Sequence, residues 1–306
     1  MKIAMIGLGD IAEKAYLPVL TALPGLDLHL CTRDRATLDR LGAAHRIERR
    51  STSVEEVVKA GVEAAFVHAA TAAHAEIVEP LLLAGVHVYL DKPIAYTLAE
   101  SERLVRLARE RERSLLVGFN RRRAPSYADL LGLPRHLIVM QKNRRNLAQD
   151  PRIAVFDDFI HVVDTLRFLV PGPVEHTGIR ARTGDGLLEH VTLELSGGGF
   201  TAFGIMDRVG GAAEETLEVM GGGVKRRVVN LADVTDYAGG ETLTRRGDWT
   251  PVPRQRGIEQ VCLEFLGAVR SGTVIDAADA LATHALCEDI VTAALTGRPF
   301  GTSMGT

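Results

Sequence analysis

The chain has few cysteines, no long apolar stretch and no block of one charge. Its three cysteines, Cys31, Cys262 and Cys287, lack metal-ligand spacing and fall inside apolar strand or helix patterns. They read as buried small hydrophobes in a reducing compartment, which predicts the cytoplasm. No apolar run reaches the roughly 18 residues that a membrane span needs. An apolar strand pattern begins at the second residue, leaving no room for a signal peptide. Net charge is −3 at pH 7, with no basic stretch interleaved with aromatics, so nucleic acid is not an expected partner. Internal repeats and low-complexity linkers are also missing. What is there is 306 residues, 46% hydrophobic and 25% charged, the balance of a globular protein of about two domains.

The opening segment is the most informative. Lys2 to Ile6 is a short apolar run, and Gly7-Leu8-Gly9-Asp10-Ile11-Ala12 follows it. This is a G-x-G-x-x-A turn between a strand and a helix. Gly7 allows the tight turn, Gly9 lets backbone approach a pyrophosphate, and Ala12 lets the helix pack close to the strand. The helix N-terminus offers free N–H groups to the phosphates. Strand and helix then alternate. Strands are expected near 26–31, 64–68, 87–90 and 114–117, with helices near 10–23, 35–44, 74–84 and 97–113. Ser53-Val-Glu-Glu56 and Thr97-Leu-Ala-Glu100 are capping boxes that start helices. Such alternation with apolar strands predicts a doubly wound parallel sheet, a Rossmann domain over residues 1–119.

The pattern changes after Gly118-Phe119-Asn120. Alternating strands are expected near 135–142, 174–182, 187–195, 200–207, 216–220 and 225–230, a marked helix at about 157–170, and closing helices near 258–270 and 276–295. In Val191-Thr-Leu-Glu-Leu195 the apolar residues alternate, so one sheet face is buried and one is not. Residues 120–306 therefore read as an α+β domain with an open, mainly antiparallel sheet.

Two constellations carry chemistry. Asp91-Lys92-Pro93 follows the strand at 87–90, and ligands bind outside the carboxyl ends of parallel strands. Lys92 is placed there to hydrogen-bond a hydroxyl or steady an alkoxide; an ordinary surface lysine is the alternative. Asp157, His161 and Asp164 fall at i, i+4 and i+7 on one helix. His161 suits proton transfer, with Asp157 or Asp164 fixing its tautomer. A solvated polar face is the bland alternative. A zinc site lacks its remaining ligands, so no metal is expected.

Together these segments resemble the Gfo/Idh/MocA family of nicotinamide-dependent oxidoreductases. The matching residues are Gly7-Leu-Gly9-Asp-Ile-Ala12, Asp91-Lys92-Pro93, Gly118-Phe119-Asn120-Arg121-Arg122 and Asp157-x-x-x-His161-x-x-Asp164. Ala15-Tyr-Leu-Pro18, Phe66-Val-His68 and Thr71-Ala-Ala-His74 make the MviM-type branch the most similar. The resemblance implies hydride transfer between NAD(P) and a carbinol carbon of a sugar, polyol or related small molecule. It implies Lys92, Asp157 and His161 as catalytic groups. Cofactor contacts fall to Gly7, Gly9, Asp10, Ile11, Ala12, Thr32, Arg33, Thr71, His74, Asp91 and Lys92, and substrate contacts to Asn120, Arg122, Arg144 and Asp164. Asp91 stands where the family usually has Glu, and Phe159 where it often has Gly, which leaves the substrate open. A nicotinamide sensor on the same fold and an NAD-dependent glycosidase are the competing readings.

Two further expectations concern cofactor and assembly. An NAD-specific domain carries an acidic residue at the end of the second strand. Here Thr32 takes that place, followed by Arg33, which pairs readily with a phosphate. NADP(H) is therefore expected over NAD(H), with Asp34 as the counter-argument. The open sheet face and the family resemblance predict a homo-oligomer, a dimer first of all.

Overall fold

The computed structural model describes residues 1–298 and 300–303. They form two compact units, residues 1–120 with 258–281, and residues 121–257 with those from 282 onward.

The first unit holds a six-stranded parallel sheet in the order β3-β2-β1-β4-β5-β6. Its strands are β1 (Lys2–Ile6), β2 (Asp27–Cys31), β3 (Arg50–Ser51), β4 (Ala64–Val67), β5 (His87–Leu90) and β6 (Leu115–Val117). The two-residue β3 was not foreseen, being too short to show a pattern. Strand order reverses between β1 and β4, the switch point where such sheets bind ligands. Both expected N-caps form: Ser53 accepts from the Glu56 N–H, and Thr97 from that of Glu100, each at 3.3 Å, while the Glu56 carboxylate reaches back to the Thr52 N–H at 3.2 Å. Ile3, Met5, Leu30, Phe66 and Tyr89 lie in the core.

One helix departs from the expected division at residue 119. Helix Ile258–Ser271 belongs to the first unit, not to a separate second domain. Its buried residues Ile258, Val261, Cys262 and Phe265 join the same apolar cluster as Ile3 and Phe66. Phe265 meets Phe66 edge-on, with ring centroids 5.2 Å apart. Removing this apolar face from water draws the distant segment back to the first core.

The second unit holds a nine-stranded sheet in the order β14-β13-β12-β11-β7-β10-β9-β8-β15. These are β7 (Leu137–Asn143), β8 (His176–Gly184), β9 (Leu187–Gly197), β10 (Phe200–Asp207), β11 (Glu214–Gly221), β12 (Val224–Val229), β13 (Asp233–Tyr237), β14 (Glu241–Thr244) and β15 (Phe300–Ser303). All neighbours are antiparallel except β7 and β10. The last three strands were not anticipated, since β13 and β14 bury no residue and carry no apolar alternation. A helical stretch over residues 151–169 packs on β7 and β10. Asp150 caps it by accepting from the Ile153 N–H at 3.1 Å, with Pro151 at the first helical position. Among the described residues no helix is long and apolar enough to cross a membrane. The three cysteines are buried free thiols.

Candidate active site

In the first unit the chain leaves β1 at Gly7, where φ is +83°. A Cβ there would sit 2.5 Å from the Ala69 backbone nitrogen, so only glycine fits. Gly9 differs: a Cβ there would meet nothing within 4 Å. Its hydrogen leaves an open approach to the helix start, where Glu13 N–H closes the first bond onto the Gly9 carbonyl at 3.0 Å. Ala12 is buried, Ile11 is exposed, and Asp10 pairs with Lys14 one turn on. A cleft of about 710 Å³ opens here, lined among others by Gly7, Gly9, Thr32, Arg33 and Asp34. Its size, bare glycine turn and facing helix N-terminus fit a dinucleotide.

Just past the end of β2, Thr32 is half-buried and Arg33 is exposed. Asp34 is engaged elsewhere. Its carboxylate accepts from the Ala36 N–H at 3.0 Å and the Thr37 hydroxyl at 2.7 Å, capping helix Arg35–His45.

Asp91-Lys92-Pro93 leaves the carboxyl end of β5, with a cis bond between Lys92 and Pro93. Asp91 accepts from the Lys92 N–H at 2.8 Å, and its other oxygen lies 3.6 Å from His68 Nδ1. Burial opposes charge on Asp91, but His68 and Lys92 beside it hold its carboxyl below the usual range. His74 is buried against backbone. Its ring nitrogens sit 2.9 Å from the Pro93 carbonyl and 3.0 Å from that of Ala69, so it braces the turn that carries Lys92. Burial lowers its pKa, which favours the neutral ring. Thr71 opens the short turn ahead of that helix. His68 was not anticipated as a site residue. It is sealed in against Tyr16, with ring centroids 4.0 Å apart, while the Tyr16 and Tyr89 hydroxyls meet at 2.8 Å.

In the second unit Asp157 and His161 are half-buried on the 151–169 helix. Asp164 is not part of an open stripe with them. It is buried, accepts both N–H groups of Arg122 at 2.5 and 2.8 Å, and takes the Thr283 hydroxyl at 3.2 Å. Burial pushes its carboxyl up, and Arg122 opposes that shift. Arg122 and Thr283 cover Asp164 and set it apart from the expected stripe, while a widened turn over Val155–Phe159 shifts the helical phase of Asp157. Arg144 pairs with Asp158, which also accepts from Arg208 at 2.8 Å. Asn120 begins the short turn Asn120–Arg123.

A buried charged layer was missed by sequence reasoning. Arg121 binds both oxygens of Glu215 at 2.8 and 2.7 Å, Tyr127 donates to the same carboxylate at 3.0 Å, and Lys142 reaches it at 3.5 Å. Its signal lies in strand alternation: Ile138 and Met140 point inward on β7, and Lys142 is next in phase. Among the described residues no three His, Cys, Asp or Glu side chains gather as metal ligands.

Residues 1–119 match the GFO_IDH_MocA family model, described as an oxidoreductase family with an NAD-binding Rossmann fold. Residues 134–237 match a YceM-like C-terminal domain. The Salmonella typhimurium oxidoreductase YceM is 34% identical over 296 residues, covering 91% of this chain and 92% of that protein. The dehydrogenase MviM of Clostridium difficile superposes with a TM-score of 0.90 at 31% identity, over 96% of this chain and 99% of its own. The myo-inositol dehydrogenase Hyg17 of Streptomyces leeuwenhoekii is 37% identical over 130 residues, 42% of this chain and 40% of that one.

Proposed function

Because the chain belongs to the Gfo/Idh/MocA family of NAD(P)-dependent dehydrogenases, we propose that it oxidises or reduces a carbinol carbon of a small polyhydroxy molecule, with NADP(H) as its preferred cofactor. The observation that carries this reading is the open glycine turn at the switch point, with Asp91-Lys92-Pro93 leaving the same sheet. Gly7, Gly9 and the first helical N–H groups would hold the pyrophosphate. The bound nicotinamide supplies hydride acceptance or donation. Lys92 donates a hydrogen bond to the reacting oxygen and steadies its negative charge. His161 takes the hydroxyl proton on oxidation and returns it on reduction. Asp157, one turn earlier, orients the imidazole. The match to a myo-inositol dehydrogenase, over 42% of this chain, supports hydride transfer at a carbinol carbon.

The cofactor preference rests on Thr32, Arg33 and the occupied Asp34. A threonine at the end of β2 does not repel a 2′-phosphate, and a guanidinium binds one readily. Asp34 spends its carboxylate on the helix cap. Fluorescence titration of both cofactors tests this; equal or tighter NAD(H) binding removes the preference. Catalysis is tested by Lys92→Ala and His161→Ala. Each loses roughly 10²–10⁴-fold in kcat while cofactor affinity is kept, and near-normal turnover in both removes the assignment. The partner assigned to the outer sheet face, where Phe203 and Leu187 are exposed, is a second copy of the chain. A monomeric mass in light scattering at micromolar concentration would remove it. The buried free thiols support a reducing compartment, the cytoplasm.

A further inference from the structure

The layer between the 151–169 helix and the sheet of the second unit is unbalanced in charge. Arg121, Lys142, Arg144 and Arg208 are its cations, and Glu215 and Asp158 are the carboxylates paired with them. Asp157, half-buried on the same helical turn, still leaves a positive surplus. Glu215 accepts two bonds from Arg121 and one from Tyr127, and Asp158 two from Arg144 and one from Arg208, so most of their acceptor capacity is taken. Lys142 keeps one contact, 3.5 Å to Glu215, although its side chain is only 9% exposed. An ammonium has three donors, and burying it so poorly matched is costly unless another group supplies negative charge. Arg144 lies two residues on in the same strand phase, with 36% of its side chain exposed, so the cluster is open to solvent at that end. It binds Asp158, beside Asp157 and within one helical turn of His161.

We propose that Lys142 and Arg144 form an anion-holding subsite, so that the substrate carries a carboxylate or phosphate besides the hydroxyl that reacts. This rests on the dehydrogenase reading but names what that reading leaves open: a sugar acid, hydroxy acid or sugar phosphate, not a neutral polyol. The charge state agrees. Burial, with Arg121 and Arg144 adding repulsion against the pull of Glu215 and Asp158, lowers the Lys142 pKa to about 8. Lys142 is thus mostly charged at pH 7, and anion binding weakens above about pH 8. Tyr127 faces Glu215 with its phenol held well above its ordinary range, so it stays neutral through this window.

The test uses enzyme saturated with NADP(H), which fills the other phosphate-binding turn. Inorganic phosphate and acetate are titrated calorimetrically, with no turnover required. At least one should bind, phosphate pointing to a phosphorylated substrate and acetate to an acid. Lys142→Met and Arg144→Gln should each weaken it by roughly 10-fold or more, and Lys142→Arg should restore it. Lys92→Ala should bind the anion as the parent does, which separates this subsite from the catalytic assignment. Should Lys142→Met fail to fold, the part-exposed Arg144→Gln gives the same reading. A turnover panel of gluconate, glucose 6-phosphate and sorbitol adds the substrate arm. No binding of either anion, variants that bind like the parent, or sorbitol turned over as well as both anionic compounds would overturn the proposal.

Discussion

The glycine turn in the cleft of the first unit works through backbone, while the polar layer of the second is built from charged side chains. Gly7 and Gly9 act by having no side chain, and the adjoining Asp34 and His74 mainly brace the local chain. In the second unit Arg121 reaches Glu215 across 94 residues of sequence, and Arg208 reaches Asp158 across 50. A backbone-built site survives most side-chain changes but not a change of backbone conformation. A charge-built site keeps its backbone but depends on each partner, because a buried ion left alone is costly. The predictions below separate these behaviours.

The largest effect is expected at Glu215. Glu215→Gln removes the carboxylate that Arg121, Tyr127 and Lys142 share, leaving two buried cations unbalanced. We expect a loss of about 3–5 kcal/mol in urea unfolding. A loss below about 1 kcal/mol would show that water, not Glu215, balances this layer.

Next come the two glycines, which divide structure from binding. Gly7→Ala forces a Cβ against the Ala69 and His68 backbone at a φ that L-residues avoid. About 3 kcal/mol of stability should be lost, and cofactor binding with it. Gly9→Ala places its Cβ in open space, so Tm should hold while cofactor Kd rises roughly 10-fold or more. Equal cofactor affinity in Gly9→Ala would move the pyrophosphate away from this turn.

The same contrast explains what could be read in the sequence. The parallel sheet, both N-caps and the glycine turn were legible because each is written in short runs of consecutive residues. The charged layer was not, since its members come from residues 121–127, β7, the end of β10, β11 and the 151–169 helix, and only folding brings them together. A trace was present. Inward positions Ile138 and Met140 on β7 run on to Lys142, and on β11 the inward Leu217 is preceded in phase by Glu215. Register pairs Lys142 with Glu215, so both charges occupy one end of the sheet. The helix Ile258–Ser271 was recognised as a helix, but periodicity says nothing about which core its apolar face joins.

Acid should expose the charge-built unit. Burial alone would raise the carboxyls of Glu215 and Asp158, but their Arg and Lys partners hold both down to about 2. Folded pKa values below the unfolded ones give stability that is present above about pH 5 and lost as pH falls towards 2. Each group accounts for roughly 2 kcal/mol of that loss. Unfolding followed across pH 7 to 2 should steepen below pH 5, and Asp158→Asn should flatten part of that slope. An unchanged slope in Asp158→Asn would mean that its ion pairs persist in the unfolded chain.

The smallest effect tests the backbone-built side where a side chain does matter. Asp34 caps helix Arg35–His45 and also lines the cleft, two residues past Thr32. Asp34→Ala should lower Tm by a few degrees, as the loss of an N-cap ordinarily does. Asp34→Asn keeps an acceptor for the Ala36 and Thr37 N–H groups and should cost little, yet it removes the negative charge. If Thr32 and Arg33 hold a 2′-phosphate, Asp34→Asn tightens NADP(H) binding by a few-fold and leaves NAD(H) unchanged, since only a like charge has gone. If Asp34 holds the ribose hydroxyls instead, the same change weakens NAD(H) and leaves NADP(H) no better. The two variants, read by thermal melting and cofactor titration together, therefore separate the cap from the cofactor pocket at one residue.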